Sequence, residues 1–317
     1  MNDRKTILLS ALATGVLFFS TPLFVHGSFS FVDDGSRLHL LEKGEPVFAY
    51  NYESVKPPDA LDNEQYERSS YIHPLYGVDG ETLTEDFPAD HLHHRGVFWA
   101  WPQFHVGDRH IDVWHLSGLR QHFARWNARE IRENSAKLAV QNDWILEDTN
   151  EAVVREEIVV EVYPAGDEGR YVDFHLTFTN IASGPITFRG QTGTGYGGLS
   201  VRMDGTRPDP AITTAAGATG DSNDLVTPWA DFSSRKAPEG DFSGLAIFQH
   251  PENPEFPHSG WTLRHYGFIG PSWPHHNPQQ FSPGESVELQ YRLFIHRGAA
   301  EEANVEEHFE RYMKEVG

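Results

Sequence analysis

The sequence predicts an all-β sandwich or barrel closed by one C-terminal helix, and three observations lead there. Val172, Phe174, Leu176 and Phe178 alternate with Asp173, His175 and Thr177, and Val287, Leu289, Tyr291, Leu293 and Ile295 repeat the pattern near the end. Such a two-residue period gives one apolar and one polar face, as a half-buried strand requires. Other short apolar runs are separated by turns rich in Gly, Pro, Asp and Asn, with no helices between them, which argues against a parallel α/β sheet. Only Ala300–Val316 is strongly helical, since Val305, Phe309, Tyr312 and Val316 fall on one stripe that can pack across a sheet.

In chain order, strands are expected at Leu38–Leu41, Val47–Tyr52, Phe123–Ile131, Leu138–Leu146, Val153–Tyr163, Tyr171–Thr179, Gly197–Met203, Leu245–Gln249, Trp261–Ile269 and Val287–Ile295. Arg207–Ser234, with Pro208, Pro210, Gly217, Gly220 and Pro228, reads as a long loop, of a length often used as a wall or lid. No repeat, low-complexity stretch or linker divides the chain, so 28–317 is read as a single domain.

Residues 1–27 have the layout of a secretory signal peptide. Arg4 and Lys5 precede an apolar stretch from Ile7 to Phe19, and Val25-His26-Gly27 sets small residues around a cut before Ser28. The expected location is periplasmic or extracellular, with no membrane span in the mature chain. With no cysteine, no disulfide can form, and stability must come from the core. A formal net charge of −21 repels phosphate backbones and anionic lipid, which excludes nucleic acid as a partner.

The densest chemistry lies in DHLHHRGVFWAW, residues 90–101. On a strand, His91 and His93 would share a face while His94 points away, and Gly96 would mark a bulge. Two imidazoles on one face suit a divalent metal, so His91 and His93 are the metal candidates, with His110, His115, His250, His265, His275 or His276 to complete the shell. A cupin-like site would carry a glutamate four residues after the His-x-His, where Val97 stands. The metal-free alternative needs no cofactor: His93, His94 and His115 move protons near neutral pH, and Arg95 grips a carboxylate or keto oxygen in fork geometry. Arg95 has a second reading, as a brace paired with Asp86 or Asp90. Trp99, Trp101, Trp114, Trp229, Trp261 and Trp273 either fill the core or stack on sugar rings. Trp273 stands out, because PSWPHHN reads as a loop carrying His275, and Arg264-His265 is expected to reach the same cleft. No pair of carboxylates singles itself out for two-acid glycoside hydrolysis.

HPLYGVDGETLTEDFPADHLHHRGVFWAW at 73–101, IDVWH at 111–115 and GLAIFQHPENPEFPHSGWTLRHYGFIGPS at 244–272 resemble the bacterial family labelled "methane oxygenase PmoA-like". The resemblance covers nearly the whole mature chain. It implies a galactose mutarotase-like β-supersandwich whose concave sheet face is open to saccharides. Similar proteins carry Lys-Glu-Gly before the glycine-rich strand, whereas this chain has Thr192-Gly193-Thr194-Gly195, which puts a carboxylate acid/base there in doubt. Methane oxidation is not expected, since the membrane enzyme of that name is a multi-span complex and no spanning segment follows the leader.

The expected function is therefore that of a secreted carbohydrate-active enzyme, a lyase, dehydratase, epimerase or hydrolase, acting on a small-molecule or oligosaccharide substrate. His93, His94, Arg95 and His115 are its catalytic candidates, and Trp99, Arg264, His265, Trp273 and His275 its substrate contacts. The alternatives are a non-catalytic saccharide-binding protein and a metal-dependent enzyme built on the histidine block.

Overall fold

The computed structural model describes residues 29–58 and 66–317; the segment 1–27, expected to be a signal peptide, lies outside the described residues. Twenty strands and one helix follow in order. They are β1 (Phe29–Asp33), β2 (Arg37–Glu42), β3 (Glu45–Asn51), β4 (Tyr71–Leu75), β5 (Val97–Ala100), β6 (Gln103–Val106), β7 (Arg109–Ile111), β8 (Leu119–Ile131), β9 (Ala136–Leu146) and β10 (Ala152–Val162). Then come β11 (Gly169–Asn180), β12 (Ile186–Arg189), β13 (Gly198–Arg202), β14 (Ala211–Thr214), β15 (Trp229–Arg235), β16 (Phe242–Gln249), β17 (Gly260–Arg264), β18 (Phe268–Ser272), β19 (Gln279–Phe281), β20 (Ser286–Arg297) and α1 (Val305–Val316).

They form the expected all-β supersandwich of antiparallel strands. One eight-stranded sheet has the order β1-β2-β3-β4-β5-β13-β18-β17, and a second has β14-β15-β16-β20-β11-β10-β9-β8. A four-stranded sheet, β19-β12-β6-β7, closes one end. The two strands with the clearest alternation pair with each other, Val172 opposite Leu293, Phe174 opposite Tyr291 and Leu176 opposite Leu289. Their apolar faces form one continuous buried surface, worth roughly 1.5–3 kcal/mol per large side chain. The three sheets meet where Trp101 packs 5.1 Å from Phe178 and 4.6 Å from Phe188. The stripe of α1 lies on the outer side of the second sheet, with Phe309 5.5 Å from Phe248.

Three expectations change. Trp261–Ile269 is not one strand but most of the β17–β18 hairpin, turning at Gly267 with φ +100°, so that Trp261 faces Pro271 and Leu263 faces Ile269. A continuous apolar run carries no mark of where it folds back, and Gly267 supplies the positive φ that a side chain resists. Arg207–Ser234 is not all loop, because it holds β14 and most of β15, which pair residue for residue at the edge of the second sheet. The helix begins at Val305 rather than Ala300, after Asn304 in the left-handed conformation at φ 50°.

Phe178 is 1% exposed and lies 5.6 Å from Trp144 as well as against Trp101. Phe178→Ala is expected to lower the unfolding free energy in urea by about 3–5 kcal/mol. Val32→Ala, on an edge strand, is expected to change it by less than about 0.5 kcal/mol.

Candidate functional site

DHLHHRG is a turn, not a strand. The Pro88 carbonyl accepts from the His91 N–H at 3.0 Å, and the His91 carbonyl from the His94 N–H at 2.9 Å. Gly96 marks a close crossing rather than a bulge, since a Cβ there would stand 2.3 Å from the Ile72 carbonyl oxygen on β4. The turn therefore gathers side chains that a strand would separate. His91 and His94 stack at 4.6 Å and 5°, and His93 lies 4.6 Å from His94.

A second turn brings His115 to the same place, 4.4 Å from His93. Asp112 holds that turn: one carboxylate oxygen accepts the His115 N–H at 2.9 Å, and the other lies 2.8 Å from His115 Nδ1. Aromatic rings wall the four imidazoles, with Trp114 5.8 Å from His94, Tyr266 5.1 Å from His91 and Tyr66 6.1 Å from His93. His91 and His115 are about one third exposed and form the mouth, whereas His93 and His94 are buried.

Burial pushes the His93 pKa down to about 3, helped by His115, His91, Arg68 and Arg95. Burial likewise holds His94 well below the usual imidazole range, with His93 and His91 adding to it. Both rings are thus neutral at physiological pH and offer lone pairs rather than charge.

Arg95 does not face this mouth. It is fully buried, its Nη1 donates to the Leu92 and His94 carbonyls at 2.7 Å each, and Nη2 donates to the Tyr66 carbonyl. Nε lies 3.4 Å from Asp86, and the guanidinium rests 3.6 Å above the Phe87 ring. The ligand-fork expectation is corrected to the bracing one, because a buried guanidinium must spend its donors on the nearest acceptors.

His91 and His93, the pair expected to bind metal, sit 5.7 Å apart, edge to face, with His91 Nδ1 3.0 Å from an Asp90 carboxylate oxygen, and are not part of a three-donor group among the described residues. Among the described residues, the group whose three donor atoms lie within 4.8 Å of one another is Asp224, His275 and His276.

The expected substrate contacts scatter. Trp99 and Trp273 are core residues, each 1% exposed, and the Trp273 carbonyl accepts from Trp101 Nε1 at 2.6 Å. Trp101 and Trp261 are buried too, and Trp229 lies under α1, its Nε1 donating to Glu306 at 3.1 Å. Large aromatics are drawn to the interior wherever a sandwich offers one. Trp114 reaches the imidazoles but is itself covered, so Tyr266, 36% exposed, is the aromatic ring beside them that solvent reaches. Arg264 and His265 are committed to the 221–223 loop: Arg264 donates to the Ser222 carbonyl at 2.7 Å, and His265 Nδ1 lies 2.7 Å from Asp221. His275 belongs with Asp224 and His276, seated against Gly195 at the end of Thr192-Gly193-Thr194-Gly195.

Sequence reasoning missed Asp112, Tyr66, Tyr266, Asp224 and Arg68. Asp112 had a signal, three residues before His115 in IDVWH, the spacing at which a capping aspartate accepts a backbone N–H. Arg68 had none: it is buried over the Phe98 ring at 5.1 Å and gives Nη2 to the Val113 carbonyl at 2.6 Å. Its Nε and Nη1 have no hydrogen-bond partner among the described residues. Burial, and then the charge of Arg95, pull its pKa to about 9, so it stays charged at neutral pH.

Arg95→Ala, which takes the cation from beside the Asp86 carboxylate and the donor from three carbonyls, is expected to destabilise the protein in urea by about 3–5 kcal/mol. His93 makes stability pH-dependent. The unfolded ring binds a proton below pH 6.5, whereas the folded ring resists protonation down to about 3. Its contribution is full above pH 6.5 and is lost as pH falls through that interval. His93→Gln is expected to show a shallower decline than the parent in urea midpoints measured across the same interval.

Comparisons with known proteins were made in structure and in sequence. The α-galactosidase of Lactobacillus brevis superposes with a TM-score of 0.40 at 8% identity, over 87% of this chain and 41% of that one. A heparan sulfate lyase mutant of Pedobacter heparinus gives 0.38 at 9% identity, over 86% of this chain and 36% of that one. The Slr1438 protein of Synechocystis sp. gives 0.37 at 11% identity, over 85% and 96%. The chain thus spans about two fifths of the length of the galactosidase. No curated protein matches it in sequence. The family model that matches, over residues 37–310, bears no methane-oxygenase label, and the chain belongs to the family it describes, a family of unknown function (DUF6807).

Proposed function

We propose that the protein is an exported carbohydrate-active enzyme whose acid–base centre is the imidazole cluster of His93, His94 and His115. The observation that carries this reading is the Asp112–His115–His93 arrangement at a half-open mouth, with the carboxylate 2.8 Å from His115 Nδ1 and the His115 ring 4.4 Å from a buried neutral imidazole. An aspartate on Nδ1 selects the tautomer in which Nε2 carries the lone pair, and so sets which atom takes a proton. His93, without charge of its own, relays or accepts a hydrogen bond beside it.

The buried Arg68 cation supports the choice of reaction. Its field reaches His93 and favours negative charge developing there, as when a proton leaves a carbon next to a carbonyl. Elimination from a uronate and epimerisation of a keto-sugar both develop such charge. Tyr266 stacked with His91, and the exposed Asp90 carboxylate held by the buried Arg202, suit a sugar face and its hydroxyls. The leader directs this chemistry to a periplasmic or extracellular saccharide.

The test incubates the protein with a panel of oligosaccharides, uronates and keto-sugars and follows product mass, where loss of water marks dehydration, gain of water hydrolysis, two fragments of unchanged summed mass eliminative cleavage, and one product of unchanged mass epimerisation. His115→Ala is expected to lower turnover by about 100-fold or more with the thermal midpoint little changed. A parent protein that binds members of the panel without converting any of them would be a saccharide-binding protein instead.

A further inference from the structure

We infer that Asp224, His275 and His276 form a binding site for a divalent cation of zinc's ligand preference, apart from the imidazole cluster and reachable from solvent. The donor atoms are already spaced for it. Asp224 Oδ1 lies 3.4 Å from His275 Nε2 and 3.5 Å from His276 Nε2. Ligands at about 2.0–2.1 Å from a tetrahedral ion stand about 3.4 Å from one another.

His275 supplies an independent observation. Its side chain is only 5% exposed, and its Nε2 is buried without a hydrogen-bond partner among the described residues. A buried imidazole nitrogen left unsatisfied is costly and rare, and a bound cation satisfies it. The ring is also held in place. A Cβ on Gly195 would come within 2.1 Å of it and one on Gly260 within 2.4 Å, so glycines are required on both sides. The His275 carbonyl accepts from the Gly190 N–H at 2.8 Å, and its backbone keeps the left-handed conformation at φ 56°. Non-glycine residues held there are found disproportionately at ligand clamps.

Asp224 is positioned from the other side. Ser222 exchanges backbone hydrogen bonds of 3.1 and 3.0 Å with Leu263, and Arg264 binds Ser222 and Asn223, so the loop is fastened along β17 just before the aspartate. Two imidazoles and one carboxylate suit zinc and its neighbours better than magnesium or calcium, which prefer all-oxygen shells. Three protein ligands leave a fourth position, and Asp224 and His276, 73% and 41% exposed, leave that position open to water or a ligand oxygen.

The test strips the intact protein with a chelator and titrates it with zinc by calorimetry, with elemental analysis for stoichiometry. One zinc per chain is expected, with a rise in thermal midpoint on binding. Asp224→Ala and His276→Ala change exposed residues and are expected to keep the metal-free midpoint while weakening zinc binding at least about 10-fold, the loss that even an outer-sphere partner brings. His91→Ala is expected to bind zinc as the parent does. No stoichiometric uptake by the parent, unchanged uptake in both variants, or loss of uptake in His91→Ala would each overturn the assignment. Uptake is read without substrate, so its failure leaves the saccharide reading untouched.

Discussion

The guanidinium of Arg95 is the constraint from which the imidazole site follows. A cation taken wholly out of water must have its donors matched, and the acceptors within reach are the Leu92, His94 and Tyr66 carbonyls and the Asp86 carboxylate. Two of those carbonyls belong to the residues just before it, so the chain has to curl around its own arginine instead of running on as a strand. The curl stacks His91 on His94 and turns His93 toward His115. Gly96 then lets the chain pass against β4 and enter β5.

Desolvation decides the character of what is gathered. Neutral rings at 4.4–4.6 Å can pack against one another, whereas protonated ones at that distance would repel strongly. Burial of His93 and His94 enforces neutrality, and the nearby Arg68 and Arg95 charges reinforce it. Asp86 compensates Arg95, while Arg68 keeps its charge with one carbonyl and an aromatic face. The core has its own buried acid: Glu156 accepts from Asn142, Gln121 and Trp144 at 2.7, 2.9 and 2.6 Å, and burial raises its pKa. Neutral amide and indole donors thus hold that carboxyl between the sheets, away from both buried arginines' hydrogen bonds.

The two candidate sites both border the first sheet but are built differently. The imidazole cluster is made by a turn that enters β5 of the first sheet and one that enters β8 of the second, and the Asp224 group by the chain just beyond β18 and a loop fastened to β17. Both sites thus draw their side chains from connections and leave the strands to supply rigidity, the usual division in β architectures.

Although the pairing of β11 with β20 came from the structure, the sequence by itself determined both of these alternating strands, the C-terminal helical stripe and the presence of unusual chemistry at 90–95. Those features are local, written in a period of two or 3.6 residues that burial imposes on any chain. Where no such period exists, tertiary structure decided the outcome. DHLHHRG has no apolar alternation to hold it as a strand, and its shape came from acceptors for Arg95, among them the distant Tyr66 carbonyl. The six tryptophans are all buried, by their position in a sandwich whose faces no single segment reveals. Asp224 met His275 because one loop fastened itself to β17, a backbone pairing to which the aspartate side chain contributes nothing.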